Sequence, residues 1–138
     1  MGQILAIDYG KARCGIAATD DMQIIASGLD TVPTPLLTEF LKKYFSENKV
    51  DEVVIGLPVD LKGNISEVET DILQFIEIFE KEFPAVKVNR FDERFTSKMA
   101  SFFISQSGKS KKQRQQKGLI DKVSATIILQ NFLEQRTR

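Results

Sequence analysis

The sequence contains no histidine and no tryptophan, and it has one cysteine among 138 residues. Without histidine, a general base has to be a carboxylate, a lysine or a metal-bound water. The lone Cys14 cannot form an internal disulfide, which is typical of a protein from a reducing compartment. No apolar run approaches the roughly 20 residues that span a bilayer, and residues 1–17 lack the basic region and cleavage site of a signal peptide. We therefore expect a cytoplasmic protein with no membrane segment.

The length predicts a single domain over residues 1–138, because the chain is too short for two domains of ordinary size. Basic and acidic side chains are equal in number but unevenly placed. Residues 1–93 carry 9 Lys and Arg against 17 Asp and Glu, whereas residues 94–138 carry 10 against 2.

The densest basic stretch is GKSKKQRQQKG, residues 108–118. It is either a solvated loop or a surface that contacts the phosphate backbone of nucleic acid, and we favour the second interpretation. Its basic residues are Lys109, Lys111, Lys112, Arg114 and Lys117.

Hydrophobic periodicity predicts an α/β fold with a sheet of mixed strand directions. Strands are predicted at 3–8, 14–19, 23–31, 51–58 and 86–91, and helices at 35–45, 66–83, 96–104 and 119–135. The second helix is predicted to open with a capping box formed by Ser66 and Glu69.

Two polar motifs follow predicted strands. ILAIDYGKARCGIA, residues 4–17, places Asp8 at the end of a buried strand, where a carboxylate is costly unless a cation meets it. The alternative is a simple hairpin turn. IGLPVDLKGNISEVE, residues 55–69, has Gly63 for a turn and leads into a helix N-terminus. That terminus is either an anion site or an ordinary strand-to-helix loop.

Two further motifs supply additional carboxylates. FDERFTS, residues 91–97, contains two adjacent acids, of which a helix cap would need at most one. GLIDKVSATIIL, residues 118–129, places Asp121 four residues before Ala125 and therefore on the apolar face of a helix. The alternative role for Asp121 is a favourable interaction with the helix dipole.

Asp8, one acid of the Asp92 and Glu93 pair, and Asp121 could converge at one end of the sheet. Three carboxylates at close range repel one another, and a divalent metal ion would remove that conflict. Oxygen ligands without histidine suit Mg²⁺ or Mn²⁺. A pair of such ions can activate water and stabilise the leaving oxygen in phosphodiester cleavage.

In order and spacing, the motifs DYGKARCGIA, VVIGLPVDLKG, FDERFTS and DKVSATIIL resemble those of the YqgF family, also called RuvX, over about residues 4–133. The resemblance implies an RNase H-like fold, a five-stranded mixed sheet flanked by helices. It also implies a cytoplasmic nuclease that processes pre-16S rRNA or resolves Holliday junctions.

The resemblance also implies roles for individual residues. Asp8, Glu93 and Asp121 would be metal ligands and catalytic residues, with Asp92 as the fallback for the second position. Arg13 and Arg94 would contact the scissile phosphate or order the carboxylates. The sequence departs from the commonest family pattern at Ser97 and Ser124, and neither position is a proposed ligand.

Our leading hypothesis is a metal-dependent endonuclease that acts on the 5′ end of an rRNA precursor as a monomer or weak homodimer. The second hypothesis is a Holliday junction resolvase acting on branched DNA, and the third is a nucleic-acid-binding regulator that does not cut. An actin-like or sugar-kinase ATPase would need two such domains, which the length does not allow.

Overall fold

The computed structural model describes residues 2–59, 62–92 and 117–137, with the side chains of the last segment described over 124–136. Within them, five strands form one mixed sheet in the spatial order β3-β2-β1-β4-β5. The strands are β1 (Gln3–Tyr9), β2 (Arg13–Thr19), β3 (Ala26–Pro33), β4 (Val50–Leu57) and β5 (Lys87–Asp92). The first three are antiparallel neighbours, whereas β4 runs parallel to both β1 and β5. The predicted mixed sheet is confirmed.

Helices cover both faces of the sheet. The helices among the described residues are α1 (Leu37–Glu47), preceded by a 3₁₀ turn (Thr34–Leu36), α2 (Val68–Glu82) and α3 (Lys117–Thr137). The apolar faces predicted for α1 and α2 pack together on one side of the sheet, where Leu41, Ile72 and Phe79 are fully or almost fully buried. α3 packs on the other side through Ala125 and Ile128.

Side chains alternate between the two faces along β1. Leu5 and Ile7 join the core under α1 and α2, whereas Ile4 and Ala6 join the core under α3. Because successive strand residues point to opposite faces, position 8 continues the face of Ile4 and Ala6. The strand therefore delivers Asp8 to the side of the sheet that α3 covers.

The predicted start of β3 at residue 23 is wrong, because the strand begins at Ala26. The Asp20 carboxylate accepts hydrogen bonds from the backbone N–H groups of Ile24 and Ile25 at 2.8 and 2.9 Å. These bonds hold Gln23 in a left-handed conformation, with φ of 57°. A turn closed by an aspartate thus competes with strand pairing and leaves both isoleucines exposed.

The predicted helix at 96–104 lies outside the described residues. None of the helices in the described ranges has the length and apolar character needed to cross a membrane.

Candidate metal centre

Asp8 lies between two glycines on the α3 face of the sheet. Gly15 of β2 is its direct cross-strand partner. On the other side, Ile7 pairs with Ile55 of β4, so Gly56 is level with Asp8 one residue further along both strands. Neither neighbour carries a side chain, and adjacent strands lie only about 4.8 Å apart. No side chain of either neighbour therefore crowds the half-buried Asp8, and both glycines are themselves buried.

The turn after Asp8 is tightly closed. The Thr34 hydroxyl donates to the carbonyl of Gly10 at 2.6 Å, and the Thr34 backbone N–H donates to the carbonyl of Ala12 at 3.1 Å. Arg13 is the first residue of β2 and is half-buried. Because β2 runs antiparallel to β1, its first residue lies at the edge where β1 ends. The structure thus brings Asp8 and Arg13 to the same edge.

Two contacts fix the direction of α3 across the sheet. Near its C-terminal end, Arg136 pairs with Glu52 at 2.5 Å, and Glu52 is level with Ile4, near the start of β1. Gln130, Leu133 and Glu134 line a groove together with residues 23–26, beside that same edge. Since the C-terminal half of α3 lies at the edge where β1 begins, its N-terminal half runs toward the edge where β1 ends.

Asp121 belongs to that N-terminal half, one turn before the buried Ala125. About 15 residues, or roughly 22 Å of helix, separate it from Arg136. The side chain of Asp121 lies outside the described set. The direction of α3 is consistent with an approach of Asp121 to Asp8, because the N-terminal half of the helix extends toward the edge where β1 ends.

The two acids of FDERFTS differ in what the structure describes. Asp92 is the last residue of β5 and pairs with Leu57. Phe91 packs under α3, whereas Val88 joins the opposite core. By alternation, position 92 shares the face of Val88, so β5 places Asp92 on the opposite face from Asp8. Glu93 and Arg94 lie outside the described residues.

The capping-box prediction for α2 is wrong, because the Glu69 side chain does not bond the backbone N–H of Ser66. The Glu69 carboxylate pairs with Arg90 instead of reaching back to Ser66, whose backbone N–H donates to the carbonyl of Pro58 at 2.8 Å. The first turn of α2 carries Glu69 and Asp71. Arg90 compensates the charge of Glu69, and the interpretation of this terminus as an anion site stays a prediction. The predicted turn at Gly63 is confirmed by its φ of +88°.

The remaining predicted contacts with nucleic acid fall outside what the structure describes. Lys109, Lys111, Lys112 and Arg114 are outside the described residues, and Lys117 is the first residue of α3 but its side chain is not described. Over the described side chains, no group of three Asp, Glu, Cys or His is close enough to hold a metal ion. That set includes Asp8 but excludes the other two predicted ligands, so the ligand assignment stays a prediction.

The lone cysteine is not part of this candidate centre. Cys14 is fully buried in the core under α1 and α2, on the opposite face from Asp8. With no histidine in the chain, the donors available around Asp8 are oxygen atoms. An oxygen-only set fits Mg²⁺ or Mn²⁺.

Sequence reasoning missed the contacts of Arg90. Its guanidinium makes two bonds to Glu69 of α2 and two to backbone carbonyls of β4. The available signal was an arginine inside the predicted strand VKVNRF, where a half-buried guanidinium needs a partner. The periodicity of α2 could not show which of its carboxylates supplied that partner.

The strand order, with its antiparallel first three strands, its parallel last two and helices on both faces, defines an RNase H-like α/β protein. The sequence model of the family described as "RuvX: Holliday junction resolvase" matches residues 2–135. The chain therefore belongs to the RuvX family, and the resemblance noted from the four motifs is confirmed.

Relatives in this family carry a different description. A protein of Flavobacterium johnsoniae is 56% identical over 136 residues, covering 99% of each chain. A protein of Flavobacterium psychrophilum is 50% identical over 99% of each chain, and one of Bacteroides fragilis is 46% identical over 97% of each chain. All three are named "Putative pre-16S rRNA nuclease".

Proposed function

We propose that this chain is a divalent-metal-dependent endonuclease that hydrolyses phosphodiester bonds in structured nucleic acid. Its substrate in this proposal is the 5′ end of the pre-16S rRNA, and its place of action is the cytoplasm during ribosome biogenesis. The observation that carries the proposal is the position of Asp8, flanked by Gly15 and Gly56 at the edge toward which the N-terminal half of α3 extends. The family and the names of the relatives support the same chemistry.

Asp8, Glu93 and Asp121 would hold Mg²⁺ or Mn²⁺. When bound, such ions activate a water molecule and stabilise the leaving oxygen of the phosphodiester. Asp8 orients its carboxylate from a rigid central strand, because the residues before it are fully buried. Arg13, at the same edge, contributes positive charge beside the scissile phosphate.

Positive charge outside this edge would hold the rest of the substrate. Arg94 and the basic segment from Lys109 to Lys117 are assigned to contacts with the phosphate backbone. These contacts do not read the sequence, so they orient the substrate and make binding dependent on salt concentration.

The first test replaces Asp8 with asparagine. D8N preserves shape but removes the charge, so we expect cleavage of an rRNA precursor with Mn²⁺ or Mg²⁺ to fall to background. The matched control is D20N, because Asp20 lies in the turn at the opposite edge and asparagine keeps its acceptor oxygen. Full cleavage by D8N would refute the proposed site.

A second test separates the two acids of FDERFTS. Because β5 places Asp92 on the opposite face from Asp8, we assign the second ligand position to Glu93. D92N is expected to keep metal-dependent cleavage, whereas E93Q loses it. The reverse result would transfer the role to Asp92.

The family description favours resolution of Holliday junctions as the second candidate function. Resolution requires paired cuts and hence two active sites, whereas processing of one RNA strand needs a single site. Cleavage of a four-way DNA junction and of an rRNA precursor should be compared at equal protein concentration, with the mass of the complex measured in solution. Preferential cutting of the junction by a dimer would establish the second candidate.

A further inference from the structure

Arg90 of β5 contacts two other segments of the fold. Its Nη1 and Nη2 donate to the two carboxylate oxygens of Glu69 at 3.0 and 2.6 Å. Its Nε donates to the carbonyl of Ile55 at 3.2 Å, and Nη2 also donates to the carbonyl of Gly56 at 3.1 Å. The two side chains are only 26% and 15% exposed. Arg90 therefore joins β5, the end of β4 and the start of α2.

All of these segments meet at the edge that carries Asp8. Gly56 is level with Asp8 in the sheet, and Arg90 is three residues before Glu93 along the chain. The loop after β4 is closed by a bridge between Val59 and Ile65. Its far end is the start of α2, which Glu69 connects to Arg90. Displacement of the guanidinium would thus remove the side-chain contacts that join the ends of β4 and β5 to α2 at the candidate site.

We infer that Arg90 is a positioning residue for the metal centre. Together with Glu69 it holds the ends of β4 and β5 in one arrangement at the edge that carries Asp8. The inference rests on the proposed function. The Arg90 guanidinium lies with Glu69 on the face of the sheet opposite Asp8, so in this inference it acts through the backbone of β4 and β5 and not by direct contact with metal or substrate.

The chain offers a matched control for a merely structural role. Arg136 pairs with the buried Glu52 at the opposite edge, where Asn89 also donates to Glu52 at 3.2 Å. Both ion pairs join a helix to the sheet, and both carboxylates are well buried. They differ in their distance from Asp8. Loss of either pair should lower stability, but the fully buried Ala125, Ile128 and Leu129 hold α3 on the sheet without Arg136, so only the loss of Arg90 should disturb the centre.

The experiment compares R90M with R136M in the full-length protein. Binding of Mn²⁺ alone is measured by calorimetry, kcat and KM are measured on an rRNA precursor, and urea unfolding reports stability. For R90M we expect weaker Mn²⁺ binding and a kcat lower by about 10- to 100-fold, because a displacement near 1 Å in a catalytic site can have an effect of that size. The KM should change little, since Arg90 does not bind substrate. R136M should keep the wild-type Mn²⁺ affinity and kcat.

The conservative variant R90K gives a further prediction. Lysine keeps the charge but cannot reproduce the forked contact with Glu69 together with the bonds to Ile55 and Gly56. R90K should therefore recover part of the stability that R90M loses and little of its Mn²⁺ affinity. If R90M does not fold, E69Q provides the same test, because it weakens the pair and leaves Arg90 in place.

Failure of the inference can be distinguished from failure of the proposed function. Wild-type Mn²⁺ affinity and kcat in R90M or E69Q, with D8N inactive, would overturn the positioning role alone. Equal losses of Mn²⁺ affinity in R90M and R136M would also overturn it, because the effect would then follow stability. Full cleavage by D8N would refute the proposed function itself.

Discussion

The turn beside Asp8 has no room for a side chain at Gly10, so replacement of this glycine tests the geometry of the turn quantitatively. A Cβ atom at this position would lie 2.5 Å from the carbonyl oxygen of Arg13, whereas carbon–oxygen contacts are normally about 3.3–3.6 Å. The backbone would have to open by roughly 1 Å. Thr34 opposes that movement, because it donates to the carbonyls of Gly10 and Ala12. We expect G10A to lower the free energy of unfolding by about 1–3 kcal/mol, the usual range for overpacking.

Gly63 provides the control because it is required for its backbone angle. Its φ is +88°, and a Cβ there would have no neighbour within 4 Å. G63A should cost about 1–2 kcal/mol through the left-handed backbone, and G63N should cost less because asparagine tolerates that region. At Gly10, asparagine should be at least as harmful as alanine. Urea unfolding followed by circular dichroism measures all four variants. A change below about 0.5 kcal/mol in G10A, the range of ordinary surface substitutions, would refute the steric argument.

Three further predictions concern the core and the titrating groups. I128A should lower the free energy of unfolding by about 2–5 kcal/mol in urea, because Ile128 is fully buried between α3 and the sheet. Burial raises the pKa of both tyrosines, Tyr9 and Tyr44. The stability that the neutral phenols contribute is therefore complete below about pH 10 and is lost as the pH rises through the folded-state pKa. Absorbance at 295 nm should show both tyrosines ionising above pH 10. Hydrogen bonds from the backbone lower the pKa of Asp20, so its contribution is present above about pH 4 and lost as the pH falls through the lowered value. Carboxyl NMR shifts would contradict this if Asp20 titrated at or above its ordinary pKa.

The covering of the sheet by α1 and α2 follows from periodicity alone. Leu37 and Leu41 of α1 are buried as their spacing predicts, as are Ile72 and Phe79 of α2. Large apolar side chains at intervals of three and four form one face of a helix, and this face is buried most favourably against the sheet. Such patterns are local, so a single sequence contains them in full.

The two wrong predictions, the start of β3 and the capping box of α2, arise where a polar side chain can bond more than one partner. The sequence around Ile24 and Ile25 favours a strand, but their backbone N–H groups donate to the Asp20 carboxylate instead of to a neighbouring strand. The spacing of Ser66 and Glu69 favours a capping box, but Arg90 offers Glu69 a charged partner 21 residues away. A charge-assisted, bidentate pair is stronger than a bond to a single backbone N–H, and the sequence does not reveal that proximity.

The candidate site was predictable to a similar extent. The position of Asp8 after the buried residues of β1 was predictable from the sequence, and its role as a ligand stays a prediction. The glycines on either side were visible in the sequence, but their alignment with Asp8 depends on the register of β1 with β2 and β4. The resemblance implied Glu93 over Asp92 as the second ligand, whereas the position of Asp92 on the face opposite Asp8 follows only from the packing of Phe91 and Val88.

The most direct test of the account is a crystal structure of the wild-type protein soaked with Mn²⁺, with the metal located from its anomalous scattering. We predict a manganese peak at the edge where β1 ends, with carboxylate oxygens of Asp8, Glu93 and Asp121 at about 2.0–2.2 Å, the range of small divalent ions. A peak without Asp8 among its ligands, or the absence of a peak at this edge, would contradict the account.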